Sequence, residues 1–322
     1  RTSGTLARSD RIMTTRNHIL VIGAASIDTK GRAEREIQVG TSTPGAIRVS
    51  VGGVGRNIAE NLARLGEPVV LLSAVGDDDS GRRLLHQAAE CGVDVSHVLM
   101  ASSHRSAAYL AVLNDSGELV MSVDDMVINR ELITPDFVYR RRRLFRDASM
   151  IAVDANLSPA TLQTIFGLSS RYGLPVCADP TTVPLAPRLK PWLGGLRLTT
   201  PNAAEAEALC GVEVRDRESA LAAAHTLQSL GVEIAVVTLG GTGLVYATSQ
   251  ESGHVPAIEC ELVDLTGAGD ALTAAIVFGL LRHFPIDEAV RLGTSAAALT
   301  LQCRETVCPG LSLESLYDQL VL

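Results

Sequence analysis

The chain has 322 residues, 46% of them hydrophobic, and a formal net charge of -8. That is apolar material enough for one large core, while the acidic balance disfavours nucleic acid and anionic membrane as partners. No apolar run is long enough to cross a bilayer, and the start carries no secretory pattern. Residues 1–17 (RTSGTLARSDRIMTTRN) are polar and aperiodic and read as a tail or linker ahead of one domain, 18–322. Opening on Arg1, the chain reads as a processed product or a piece of something longer. Six scattered cysteines form no C-x-x-C pair and read as reduced thiols of a cytoplasmic protein; seven histidines form no H-x-x-x-H pair, so a zinc site has no support.

In chain order, HILVI (His18–Ile22) is a short buried strand ended by Gly23. The segment 36–51 (EIQVGTSTPGAIRVSV) alternates like a hairpin and predicts part of a small projecting β-sheet, a lid. A helix over Asn57–Leu65 puts Ile58, Leu62 and Leu65 on one face, with Gly66 as its stop. The apolar run Val69–Val75 predicts one strand. Asp77, Asp78 and Asp79 read as a solvated loop and cap before Ser80, which is expected to cap the next helix. A second hairpin over 107–123 turns at Asn114-Asp115-Ser116-Gly117 and completes the lid. The run Arg140–Arg143 reads as a solvated helix face. Strands over Met150–Val153, Leu174–Ala178, Ile234–Leu239 and Leu244–Ala247 alternate with helices over Thr161–Tyr172 and Ala204–Cys210. Such alternation predicts a mainly parallel sheet covered on both faces.

The chemistry concentrates in LVDLTGAGDALTAAI, residues 262–276. Gly267, Ala268 and Gly269 open a helix N-terminus whose unpaired N–H groups suit an anion such as phosphate. Asp270 in the first turn can accept a proton from an attacking hydroxyl. Base, anion hole and alignment are most of what phosphoryl transfer needs. No G-x-x-x-x-G-K-[ST] is present, and the first strand runs into GAASID rather than G-x-G-x-x-G, so a P-loop and a nicotinamide site lack support. Asp28, Gly52-Gly53 before Asn57, Asn202 with Glu205, and Thr238-Leu239-Gly240-Gly241 lie at strand ends or helix starts. In an open α/β sheet these converge on one crevice.

Together these residues resemble the PfkB, or ribokinase-like, family of sugar and nucleoside kinases, from about Asn17 onward. DLTGAGD is the most specific match and GGVGRN the second. The longer stretches SVGGVGRNIAENLARLG, LLSAVGDDDSG, VDDMVI, VDANLSP and LTLQCRETVCPGLS resemble the pseudouridine-kinase branch. The resemblance implies a ribokinase-like three-layer α/β/α domain with a mainly parallel central sheet and a small β-sheet lid. It implies transfer of phosphate from ATP, with Mg2+, to the 5′-hydroxyl of pseudouridine. Asp270 would be the base, with Gly267, Ala268 and Gly269 as anion hole. Asp28, Gly53, Asn57 and Asn156 would meet the nucleoside. Asn202, Thr238, Gly240 and Gly243 would meet the nucleotide. Glu205 would organise Mg2+, and Asp264 and Thr266 would hold a monovalent cation such as K+. The segment Arg304–Pro309 departs from the ribokinase pattern. Lid edges that pair between copies imply a homodimer, and some related kinases work with, or are fused to, a pseudouridine-phosphate glycosidase. Two alternatives stay open: a kinase for ribose or another nucleoside, and a non-catalytic nucleoside-binding module.

Overall fold

Branched apolar runs with no polar alternation become strands buried on both faces. In a computed structural model that describes residues 17–321, the strands are β1 His18–Ile22, β2 Ser26–Ala33, β3 Gly45–Gly52, β4 Val69–Leu72, β5 Ala74–Gly76, β6 Val93–Asp94, β7 Leu99–Ala101, β8 Ala107–Leu113, β9 Leu119–Asp125, β10 Ala148–Asp154, β11 Val176–Asp179, β12 Leu196–Thr199, β13 Ile234–Thr238, β14 Leu244–Ala247 and β15 Ser252–Val255. Nine form the central sheet in the order β15-β14-β13-β12-β11-β10-β1-β4-β6. It is parallel from β13 to β6, and β14 and β15 add antiparallel at one edge. Alternate residues of β1 divide between two cores. Leu20 and Ile22 pack with Phe145, Ile151 and Ile165, whereas Ile19 and Val21 pack with Ile58, Leu62 and Ile276. Helices therefore cover both faces, and the expected three layers are present.

Several local expectations are corrected. The run Val69–Val75 is two strands, β4 and β5, separated by Ser73. Asp78, not Ser80, caps the helix Asp79–Glu90, because its carboxylate reaches the Gly81 N–H at 2.7 Å while Ser80 already lies inside the first turn. The segment 36–51 is not a hairpin by itself. Its first part is a loop ending at Pro44, and β3 pairs instead with β2, which begins just beyond Gly23-Ala24-Ala25. The tail reading falls on residues outside the described ones, save Asn17, whose N–H donates to Asp147 O at 2.9 Å. Cys303 and Cys308 are joined by a disulfide, against the expectation of reduced thiols throughout. The chain turns back after the helix Ile286–Leu301 and brings their Cα atoms within 5.5 Å. Cys91, Cys177, Cys210 and Cys260 are free.

The lid is the separate sheet β3-β2-β8-β9. Its register places Asp28 opposite Ser50 and Tyr109, and Lys30 opposite Arg48 and Ala111, on one face. The other face carries Ile47, Val49, Leu110, Met121 and Val123. Ile47 is 77% exposed and Met121 59%, so this apolar face is bare in the single chain.

One buried carboxylate ties lid, sheet and helix together. Asp154 ends β10 at 0% exposure and accepts the N–H groups of Ala24 at 2.7 Å, Gly55 at 3.0 Å and Asn156 at 3.0 Å. It thereby joins the end of β1 to the start of the helix Val54–Arg64. Gly53 sits here at φ 96, where a Cβ would lie 2.6 Å from Ala24 O, so only glycine lets the two segments meet. Asp154→Ala strands the Ala24 and Gly55 N–H groups in the interior. It is expected to lower unfolding free energy by about 3 kcal/mol, read from the denaturant midpoint.

Candidate active site

Parallel strands all point their carboxyl ends to one edge, and the polar residues that close them gather there. Beyond β1 lie Ala24 to Asp28. Asp154 closes β10, Asp179 closes β11, Asn202 follows β12, and Thr238 closes β13. A hydrogen bond of 2.7 Å between the Thr200 and Thr273 hydroxyls attaches the end of β12 to the helix Ala268–Leu281, whose third residue is Asp270.

Gly267 precedes that helix at φ 86, and a Cβ on it would come within 2.0 Å of Thr306 O. The helix has no side-chain cap, and a Cβ on Gly269 would meet nothing within 4 Å. Its first N–H groups and its positive dipole end thus face open space, as an anion requires.

Asp270 is 8% exposed, and its Oδ2 accepts a hydrogen bond of 2.6 Å from Asn57 Nδ2. The Asn57 amide is fixed in that sense. Its Oδ1 accepts from the Arg56 guanidinium and from Thr306 Oγ1, the latter at 3.1 Å. Arg56 is fully buried, paired with Glu60, and donates from Nε to Gly52 O at 2.9 Å. Burial pushes the Asp270 carboxyl up to about 7; the Asn57 hydrogen bond works against that and the Asp154 charge adds to it. A base poised near neutrality is what general-base catalysis favours. Asp28, on the cleft face of β2, accepts from Ser26 Oγ at 3.0 Å. Burial raises its carboxyl too.

On the far side, Asn202 and Glu205 form a reciprocal capping box, each side chain accepting the other's N–H at 3.0 Å. A parallel bridge sets Asn202 beside Thr238. Gly240 (φ 56) and Gly243 (φ 100) bound the tight turn after Thr238, closed by Leu239 N–H to Gly243 O at 2.8 Å. These four expected nucleotide residues therefore stand together around the ends of β12 and β13. Burial raises the carboxyls of Glu205, Asp154 and Asp179, the last well above its usual range with Asp270 and Glu205 adding repulsion. Among the described residues no group of three or more His, Cys, Asp or Glu is poised to hold a metal. Mg2+ is usually held by one or two carboxylates and the phosphates it accompanies. Asp179 and Glu205 lie near enough for their charges to repel, and they are the carboxylates that would hold such an ion.

Three expected residues stand differently. Asn156 turns its side chain onto Asp154, where it supports the buried carboxylate. Asp264 and Thr266 already hold a cation, but it belongs to the chain: the Lys30 ammonium. The sequence reading missed Lys30, Arg56, Asp154, Asp179 and Thr306. For Asp154 and Asp179 a signal existed, since each is an acid closing an apolar strand (IAVD, VCAD). Lys30 and Thr306 act through contacts with residues far along the chain and left no local pattern, whereas Arg56 sits within GGVGRN and meets near neighbours, Asn57 and Glu60.

Residues 16–310 match the pfkB family carbohydrate kinase pattern. The chain belongs to the PfkB family. Among curated PfkB relatives, pseudouridine kinase of Escherichia coli K12 is 33% identical over 302 residues, 94% of this chain and 96% of that protein. Guanosine-inosine kinase of Exiguobacterium acetylicum is 31% identical, covering 90% of this chain and 96% of its own. Arabidopsis thaliana ribokinase, solved with ribose and ATP, superposes with a TM-score of 0.83 over 95% of this chain and 99% of its own, at 22% identity, a likeness of fold. The PfkB chain described here is thus a phosphotransferase for an alcohol of a sugar or nucleoside.

The raised Asp270 carboxyl has a consequence for stability. Its folded value lies above the unfolded one, so its contribution is fully present in acid and is lost as pH rises through about 7. Asp270→Asn is expected to melt at a higher temperature than the parent at pH 8, with the gap closing toward pH 5, by thermal denaturation across that range.

Proposed function

We propose that this protein transfers the γ-phosphoryl group of ATP to the 5′-hydroxyl of pseudouridine, giving pseudouridine 5′-phosphate and ADP. The observation that carries the reading is Asp270: a buried carboxylate raised to about 7, in contact with Asn57, at the mouth of an uncapped helix N-terminus. The choice of nucleoside is supported by the 33% identity to a pseudouridine kinase over 94% of the chain.

In this reading Asp28 and Asn57 hold the ribose hydroxyls, with the Gly53 backbone beside them. A carboxylate suits a vicinal diol because both its oxygens accept. The 5′-oxygen attacks the γ-phosphorus, its proton passes to an Asp270 oxygen, and the bond from phosphorus to the bridging oxygen of ADP breaks. The N–H groups of Gly267, Ala268 and Gly269 receive the equatorial oxygens as charge spreads onto them. Asn202, Thr238, Gly240 and Gly243 line the nucleotide, and Asp179 and Glu205 would hold Mg2+. Bound there, the ion would offset phosphate charge in a crevice rich in carboxylates. The lid, over the sugar, would keep water from the phosphate. The bare apolar lid face supports a homodimer built lid to lid.

Release of ADP with Mg-ATP and a panel of acceptors tests the substrate. Pseudouridine is expected to exceed uridine, inosine and ribose in kcat/KM by about tenfold or more. A better rate with inosine or ribose transfers the assignment to that alternative, and no ADP with any acceptor returns the non-catalytic module. Asp270→Asn is expected to lower kcat by about a hundredfold to ten-thousandfold while nucleoside binding by calorimetry changes little. Ile47→Lys with Met121→Lys is expected to convert dimer to monomer in sedimentation.

A further inference from the structure

The loop that leads into the anion hole is anchored by a charge from the other end of the chain. Lys30 lies on lid strand β2, two residues beyond Asp28 and on the same face. Its Nζ stands 2.7 Å from Asp264 Oδ1 and 2.8 Å from Oδ2, and also donates to Thr266 Oγ1. An ammonium has three hydrogens, and here three oxygens receive them. The ion pair is largely shielded, with side-chain exposures of 12% for Lys30 and 17% for Asp264. Burial would push the Asp264 carboxyl up, but the hydrogen bonds from Lys30 and from the Thr266 N–H outweigh it and hold it below the usual range. The loop has further ties, since Val263 N–H donates to Leu301 O at 2.9 Å and Thr266 N–H to Asp264 Oδ1 at 2.9 Å. One residue after Thr266 comes Gly267, and the helix of Asp270 begins.

These are the oxygens at which the family resemblance put a monovalent cation, and an added K+ does not fit them. The carboxylate and the hydroxyl already face a positive charge, and a second one would be repelled at contact distance. We propose that Lys30 is a built-in cation: its ammonium takes the place of a monovalent ion, orders the 263–267 loop and fixes the lid strand that bears Asp28 to the helix that bears Asp270. Lys30 is then a positioning residue, acting through Asp264 rather than on the phosphate. The protein has no need of K+ in solution. Removing the side chain leaves a cavity lined by a carboxylate and a hydroxyl, open to an ion of the same charge and similar size.

The first test uses the unaltered protein. Its turnover is compared in potassium chloride and in tetramethylammonium chloride at equal ionic strength, and the two are expected to agree within about twofold. A saturable K+ requirement overturns the proposal. Lys30→Ala is expected to lose about tenfold to a hundredfold in kcat/KM in tetramethylammonium chloride and to recover part of it on adding KCl or NH4Cl. Lys30→Met, which fills the space without charge, is expected to lose as much and recover nothing. A Lys30→Ala protein that stays fully active and indifferent to K+ also overturns it. The activity arm rests on the kinase reading, so a second readout is free of substrate. The melting temperature of Lys30→Ala should rise with K+ at constant ionic strength, while that of the parent should not. If no acceptor is phosphorylated, the substrate assignment fails and the melting comparison still decides the role of Lys30: no K+-dependent rise in the variant, or an equal rise in the parent, overturns it.

Discussion

The hydrogen bond from Asn57 Nδ2 to Asp270 Oδ2, 2.6 Å between side chains 213 positions apart, is the contact on which the site depends. A carboxylate in the first turn of a helix ordinarily does no more than complement the dipole. Here the turn abuts the start of the helix Val54–Arg64, and the carboxylate is drawn into the crevice instead of into water. The partner amide cannot rotate away, because Arg56 and Thr306 hold its oxygen. Arg56 in turn is fully buried and paired with Glu60 inside the same helix. A buried ion pair is weak evidence for stability, since desolvation offsets much of its attraction. Its evident effect here is geometric, to leave one orientation open to Asn57.

The same burial that raises the Asp270 carboxyl toward neutrality is a cost to the fold. Asp28, Asp154, Asp179, Glu205 and Asp270 all have carboxyls raised first by desolvation. Each is held by a few hydrogen bonds, and the large cores on either side of the sheet supply the stability that tolerates them. Such a crevice would repel a bare polyphosphate. The positive end of the Ala268 helix offsets part of that repulsion, and a divalent ion brought in with the nucleotide would offset more.

Much of this was legible in the chain itself. The strands HILVI and LVYA and the alternation of strand with helix predicted the layered fold, and the compact GAGD signature pointed to the buried carboxylate and the uncapped helix start. Asn202 with Glu205, and Thr238 with the glycines after it, were readable because each is a local motif at a strand end. The lid was legible as a sheet but not in its pairing. Residues 36–51 alternate well enough to suggest a hairpin, yet β3 finds its partner in β2, and strand partners are chosen by sheet geometry rather than by alternation. The helix cap at Asp78 was misread because two neighbouring residues are both good caps, and the choice rests on which oxygen reaches the free N–H.

The sequence by itself determined the periodicities, the small residues at helix starts, and the acids and amides that close strands, because those signals are local. It thereby determined the fold class and the type of chemistry. Only the tertiary structure decided that Asp154 pins two backbone segments, that Arg56 orients Asn57, that Cys303 meets Cys308, and that Lys30 lies against Asp264. Each of these depends on where a side chain ends in space. An ammonium 234 residues from its carboxylate leaves no spacing to read, and burial, which sets both the raised carboxyls and the worth of that ion pair, exists only once the chain has closed around them.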